Sequence, residues 1–450
     1  MSIFKFFNKF FPSISIEDPA GRLPDGARSI LSLGLAGKLI VPDRGVPVHE
    51  ESLITFATQM DRTRRLCFVP EVPISSELGL PAWEPLLYWV PEGAYGDDED
   101  APFERVVETT GEERVHYFVQ HYGVISPKPI QVSVVVANVC NLACVMCPYH
   151  SPEIKPDHTT GYFDERQWMS WDVLDRIASE CGEHGIPVKM GNIEEPLLHP
   201  RIIEFVKICR ERGVPTVHIT TNGTPLNERR IRELFEAGVT SMYVSIDASR
   251  PETYSRVRGG DLKRVERNMR NLLRLRKELE SSCSIQASFV KNKGVSMEEV
   301  DEFRDRWVEE ADGVILYNLV EYESGASQVN EVYTLVQERL EEAGGRWACL
   351  SPFQEIYVLP DGQIYYCCET IGKLAFEELE SMGHYPDQNL MEIWRGAGFS
   401  RLRRDLLLDE LEAREGCRDC GIWMAHVTST EESQGRRISR NMITEITQQV

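Results

Sequence analysis

Between residues 131 and 319 the chain alternates short apolar, often β-branched runs with longer stretches whose apolar positions recur at helical spacing. This rhythm constrains the fold more than any single residue, because successive strands separated by helices run parallel, with each helix crossing one face of the sheet. Strands are expected at 131–137, 188–190, 216–220, 241–246, 284–290 and 313–319, and helices at 171–181, 202–212, 228–237, 262–279 and 300–307. Val173, Leu174, Ile177 and Ala178 form one face of the first helix, and Gly182 and Gly185 are expected to stop it. Six such units are fewer than an eightfold α/β barrel needs, and in barrels of this kind function sits at the C-terminal ends of the strands.

Directly after the first expected strand comes Val139-Cys140-Asn141-Leu142-Ala143-Cys144-Val145-Met146-Cys147-Pro148. A four-iron cubane normally takes four thiolates, so Cys140, Cys144 and Cys147 would leave one iron open to a small chelating molecule. A second set, Cys349, Cys367, Cys417 and Cys420, suffices to ligate a cluster completely, and the same four thiolates would also make a zinc site. Pro360-Asp361-Gly362 reads as a hairpin turn between ligands of this set. Cys368 follows Cys367 on an expected strand, where neighbours point to opposite faces. It is therefore turned to a substrate cavity, buried in the core, or the ligand in place of Cys367. Cys181, Cys209 and Cys283 fall on apolar positions and read as core, and Cys67 has no assignment.

At 450 residues the chain suits two or three domains. Its 71 acidic against 49 basic residues, a net charge of -22, argue against a surface that tracks phosphates and hence against nucleic acid. Twelve cysteines in clustered spacings, without a signal peptide, point to reduced thiols holding metal and to the cytoplasm. The aromatic and basic segment Met1 to Pro12 is either a helix packed on its own protein or an element lying on a membrane or against a partner; it is too short to span a bilayer, so no stable membrane insertion is expected. Residues 1–128 are irregular and rich in Pro and Gly, with apolar runs at 29–41 and 66–72 suggesting strands, a helix at 51–65, and an acidic loop at 97–100. His199 and His426 are candidate proton carriers or, for His426, a ligand.

The cysteine loop resembles the signature of radical S-adenosylmethionine (SAM) enzymes, and four further segments resemble that family in the same order. Gly191-Asn192-Ile193-Glu194-Glu195-Pro196 is similar to the segment that holds the SAM amino group, with Glu194 where glycine is usual. Thr220-Thr221-Asn222-Gly223 resembles a pair lining the SAM site, Ser245-Ile246-Asp247-Ala248 a ribose or carboxylate contact through Ser245, and Arg258-Gly259-Gly260 the arginine that pairs with the SAM carboxylate. Met146 stands where an aromatic residue is common. The C-terminal cysteines resemble the auxiliary-cluster domain called Twitch, a relative of SPASM.

The resemblance implies a partial (β/α)6 TIM-like barrel at 129–322, an auxiliary-cluster domain at 323–430, a tail at 431–450 and an N-terminal region of unknown role at 1–128. It also implies two 4Fe-4S clusters, SAM, and an external one-electron reductant such as flavodoxin or ferredoxin. The SAM-cleaving reaction yields a 5'-deoxyadenosyl radical that abstracts a substrate hydrogen atom. The leading expectation is an epimerase-type maturase that inverts Cα centres of a ribosomally made peptide, with Cys368 as hydrogen donor. The alternative is an aminosugar dehydrogenase or epimerase, and a third class is a nonenzymatic iron-sulfur or zinc protein.

Overall fold

The computed structural model describes residues 128–152, 162–163, 165–292, 295–318, 349, 351–373, 380–394, 396–408, 411–418, 420–423, 429–441 and 443–449, together with four strands before residue 92. Those strands, β1 (Ser15–Glu17), β2 (Gly37–Ile40), β3 (Cys67–Pro70) and β4 (Pro85–Pro91), form one sheet in the order β1-β2-β4-β3. The expected strands at 29–41 and 66–72 are thus present in shortened form. The expected helix at 51–65, the segment Met1 to Pro12, the acidic loop and His426 lie outside the described residues. The chain divides into two units, 1–128 with Ser400–Leu408, and Pro129–Phe399 with Asp409–Val450.

The second unit is built on β5 (Gln131–Val134), α1 (Trp171–Glu183), β6 (Val188–Met190), α2 (Ile202–Glu211), β7 (Val217–Thr221), α3 (Glu228–Ala237), β8 (Ser241–Ser245), α4 (Pro251–Arg258), α5 (Leu262–Glu278), β9 (Ser284–Lys291), α6 (Met297–Glu310) and β10 (Gly313–Asn318). Strands β5 to β10 lie side by side in chain order, all parallel. Helix α1 starts where the Ser170 side chain accepts from Val173 N, and it buries Leu174, Ile177, Ala178 and Cys181. Gly182 does not stop this helix but lies within it. A Cβ there would stand 2.1 Å from the Arg212 carbonyl oxygen, so glycine serves the close approach of the chain after α2. The short α4, not expected from periodicity, opens with Pro251 at its first turn and carries Arg258 in its last.

Beyond β10 the chain adds β11 (Glu355–Val358), β12 (Gln363–Tyr365), α7 (Cys368–Lys373), β13 (Gly383–His384), α8 (Leu390–Trp394), α9 (Ala397–Leu408), α10 (Glu415–Arg418), β14 (Ser429–Ser433), β15 (Arg436–Arg440) and β16 (Thr444–Gln449). Strand β11 pairs parallel with β5, and β12 and β13 follow it antiparallel. On the opposite edge β16 pairs antiparallel with β10 and is followed by β15 and β14, so residues expected as a tail extend the sheet. Among the described residues β13 and β14 are the two ends of a twelve-stranded, non-closed sheet, a partial barrel.

Alternation along the strands separates two surfaces. In β8, Met242 and Val244 are fully buried, whereas Ser241, Tyr243 and Ser245 are partly open. The His218 ring of β7 lies 4.3 Å from that of Tyr243, and its Nδ1 is 2.9 Å from Ser241 Oγ, so these side chains share the interior face. Cys181, Cys209 and Cys283 are buried as core residues.

Candidate active site at the cysteine loop

The loop after β5 is tied down on three sides. Buried Asn138 donates to the Tyr162 and Glu165 carbonyls at 2.6 and 2.9 Å and accepts from Gln167 N at 2.8 Å. Val145 N donates to Val257 O at 2.9 Å, and Glu195 N to Val139 O at 3.0 Å. His150 Nε2 is 2.8 Å from Ile193 O. Asn222 Nδ2 reaches both Asn141 Oδ1, 2.9 Å, and Cys140 Sγ, 3.9 Å.

Cys140, Cys144 and Cys147 are ionisable neighbours of one another, and burial pushes all three thiols up, Cys140 to about 12. Among the described residues no three such side chains stand close enough to hold a single metal ion, but three neighbouring thiols whose ionisation burial opposes would suit a larger cationic cluster, which compensates the thiolates it binds. Arg258 lies beside Cys144, and its Nε donates to Asp247 Oδ2 at 2.7 Å. Burial works against the guanidinium charge, but Asp247 and Cys144 more than offset it. Two buried polar atoms, Asn192 Nδ2 and Tyr254 Oη, have no hydrogen-bond partner. Tyr254 has Arg258 and Cys144 among its ionisable neighbours. Unsatisfied buried donors at this loop fit a ligand that brings its own acceptors, as the SAM amino-acid moiety does.

The two glutamates expected near SAM point into their own framework. Glu195 accepts from Thr221 Oγ1 and Asn222 N, each at 2.7 Å, and from Leu197 N at 3.2 Å. Glu194 accepts from Gly191 N and Ile193 N at 3.1 and 3.0 Å. Gly191 has φ +95°, and a Cβ would meet Thr220 O at 2.1 Å, so Gly191→Ala is expected to cost upwards of about 2 kcal/mol by denaturant unfolding. Ser245 Oγ lies 3.1 Å from Ser288 Oγ. His199 is buried, with Nε2 3.2 Å from Met169 O and Nδ1 accepting from Arg201 N.

Burial lifts both glutamates to about 7 from 4.5 despite those donors. Between these values the unfolded chain has released protons that the folded chain retains, so this stability contribution is full below about 4.5 and is lost as pH rises through about 7. A Glu195→Gln protein is accordingly expected to gain Tm relative to the unmodified chain as pH rises across that window. A difference that stays constant or shrinks would contradict the shift.

In the C-terminal half, β11 and β12 form the expected hairpin, with Gly362 at φ +88° and its N–H donating to Leu359 O at 2.9 Å. Cys349, its thiol raised to about 11 by burial, has Cys420 and Cys417 as ionisable neighbours. The Tyr366 hydroxyl lies 3.6 Å from Cys417 Sγ and also neighbours Cys367. These contacts draw the four expected auxiliary ligands toward one region.

Cys368 is not on a strand, since β12 ends at Tyr365 and Cys368 opens α7. The turn into the helix, not strand alternation, separates it from Cys367. It packs half-buried against the apolar cluster of Val135, Ile193, Tyr357, Leu359, Tyr365 and Ile371, and its carbonyl accepts from Tyr149 Oη at 3.1 Å. The Tyr317 hydroxyl of β10 has Tyr243, Asp247 and Cys368 as its ionisable neighbours. Asp247, Tyr254, Tyr317 and Tyr357 were not singled out from the sequence. Asp247 alone lies within one of the strand-end segments, Ser245-Ile246-Asp247-Ala248; the tyrosines carry no local signal.

Residues 134–305 match the Radical SAM superfamily and residues 349–421 the iron-sulfur cluster-binding domain SPASM. The chain thus carries a radical SAM domain, which binds a 4Fe-4S cluster and SAM, followed by a SPASM-type domain for auxiliary iron-sulfur clusters. Among curated relatives, GTP 3',8-cyclase of Limosilactobacillus fermentum is 30% identical over 139 residues, 30% of this chain and 39% of that protein. The tungsten-containing aldehyde ferredoxin oxidoreductase cofactor-modifying protein of Pyrococcus furiosus is 33% identical over 115 residues, 25% of this chain and 29% of that protein. The chain thus spans well under half the length of these two relatives. Streptococcus suis SuiB bound to the precursor peptide SuiA superposes with a TM-score of 0.49 at 14% identity, covering 79% of this chain and 84% of that one. Among the described residues no helix is long and apolar enough to cross a membrane.

Proposed function

We propose that this chain inverts Cα centres in a ribosomally made peptide, with Cys368 returning the hydrogen atom. When bound, the cluster and SAM supply the 5'-deoxyadenosyl radical that takes hydrogen from the substrate carbon. The Cys368 S–H bond then breaks as the new C–H bond forms on the opposite face, leaving a sulfur-centred radical. The substrate is neither oxidised nor reduced overall.

The observation that carries this reading is the setting of Cys368, whose carbonyl accepts from Tyr149 of the cysteine loop and whose ionisable neighbour Tyr317 belongs to β10. A half-buried thiol between those elements has access to the strand ends at which barrel chemistry occurs. Residues 1–128, outside both matched domains and carrying their own sheet, are assigned to recognition of the peptide. The net charge of -22 favours a cationic substrate and keeps an aminosugar as the second reading.

Anaerobic turnover in deuterated water, with synthetic peptides copied from small reading frames beside the gene, separates the two. Inversion adds one deuterium per centre, whereas dehydrogenation removes two hydrogens. Cys368→Ala is expected to release 5'-deoxyadenosine without inverting the peptide. Inversion by that variant would overturn the donor assignment, and dehydrogenation of an aminosugar would replace the peptide reading.

A further inference from the structure

Helix α6 opens with Ser296-Met297-Glu298-Glu299, the Ser-x-x-Glu spacing of a capping box, in which the acid serves the N-terminus of its own helix. Here both oxygens of the Glu299 carboxylate reach another part of the chain. Oε1 accepts from Ser249 N at 2.8 Å and from Arg250 N at 2.9 Å, and Oε2 accepts from Thr253 Oγ1 at 2.9 Å. Ser249 Oγ also donates to the Glu299 carbonyl at 3.1 Å. Glu299 is only 3% exposed, and burial of its carboxylate is tolerable because these donors surround it.

What Glu299 grips is the entry to α4. Arg250 stands immediately before that helix, and its own side chain makes no capping hydrogen bond. Just upstream, Asp247 has φ +60°, a left-handed conformation that a non-glycine residue keeps where its surroundings hold it. The far end of α4 meets the cysteine loop. Val257 O accepts from Val145 N, between Cys144 and Cys147, and Arg258 Nε donates to Asp247 Oδ2. Tyr254 and Val257 are buried along the way, so this eight-residue helix, fixed at its start, carries that placement to its end. We infer that Glu299 is a positioning residue for SAM binding: it sets where α4 begins, and thereby where α4 delivers Arg258, the expected partner of the SAM carboxylate, and the Val257 carbonyl that braces the cysteine loop. This role is independent of the substrate and of Cys368.

Equilibrium binding of radiolabelled SAM to the full chain with both clusters reconstituted tests it, with iron content and the urea midpoint measured on the same samples. Glu299→Ala is expected to bind SAM roughly tenfold more weakly at unchanged iron content, equivalent to one charge-assisted hydrogen bond held out of line. Glu299→Gln is expected to restore most of the affinity, since its carbonyl oxygen still accepts from Ser249 and Arg250 and its amide can donate to Thr253. Thr253→Val removes one bond to Oε2 at nearly constant shape and is expected to weaken SAM binding in the same direction; it decides the matter if Glu299→Ala does not fold. Asp312 supplies the control, because it accepts from Ile285 N at 2.7 Å and pairs with Arg276 where β9 and β10 begin, at the opposite ends of the strands. Asp312→Ala is expected to lower the urea midpoint and leave SAM affinity unchanged. Unchanged SAM affinity in Glu299→Ala, or in Thr253→Val where only that variant folds, overturns the positioning role. So does an equal loss of SAM affinity in Asp312→Ala, because lowered stability alone would then account for the effect.

Discussion

An Asp247→Ala protein is expected to be about 3–5 kcal/mol less stable than the unmodified chain. The Asp247 side chain is 1% exposed and that of its partner Arg258 9%. Removing the carboxylate leaves a guanidinium buried next to Cys144 with its main compensating charge gone. It also removes the acceptor of Val290 N, 2.7 Å from Asp247 Oδ1, which ties β9 to the end of β8. Asp247→Asn keeps that acceptor and part of the shape, and is expected to fall between the two. Replacing both partners with apolar residues of similar volume should recover much of the loss, because no unpaired charge then remains. Urea denaturation with unchanged slope measures this directly. A loss under about 1 kcal/mol would mean that the pair behaves as a solvated surface bridge.

Loss of a ligand on the open cluster should be total in activity and selective in iron. Cys144→Ala is expected to release 5'-deoxyadenosine no faster than a protein-free control after anaerobic reduction, and to hold about four fewer irons per chain. Cys417→Ala should lose iron from the other centre while still cleaving SAM at least slowly. The separation follows from the contacts: Cys140, Cys144 and Cys147 neighbour one another, whereas Cys417 neighbours Cys349 and Tyr366. If Cys417→Ala abolished SAM cleavage while the first cluster remained intact, the two centres could not be assigned separate roles.

Much of the barrel was legible because its signals are local. A strand repeats every two residues and a helix every 3.6, so the alternation at 131–319 announces six units before any contact is known. Covalent spacing likewise declares the cysteine loop, since residues three and four apart travel together wherever the loop goes. The errors arose where a local rule met a neighbour from elsewhere. Gly182 looks like a helix stop, but the Arg212 carbonyl needs its missing Cβ. Cys368 looks like a strand residue, but the chain turns into α7 at that point.

The sequence by itself therefore determined the class of chemistry, through the three thiols of the loop and the order of the segments after each strand. Tertiary structure decided which groups those segments face. Thr221 binds Glu195 across 26 residues, Arg258 binds Asp247 from a helix to a strand end, and Tyr357 meets Cys368 from β11 to α7. Such pairings depend on sheet order and register, which bring distant strand ends together at one edge, and no periodicity along the chain encodes them.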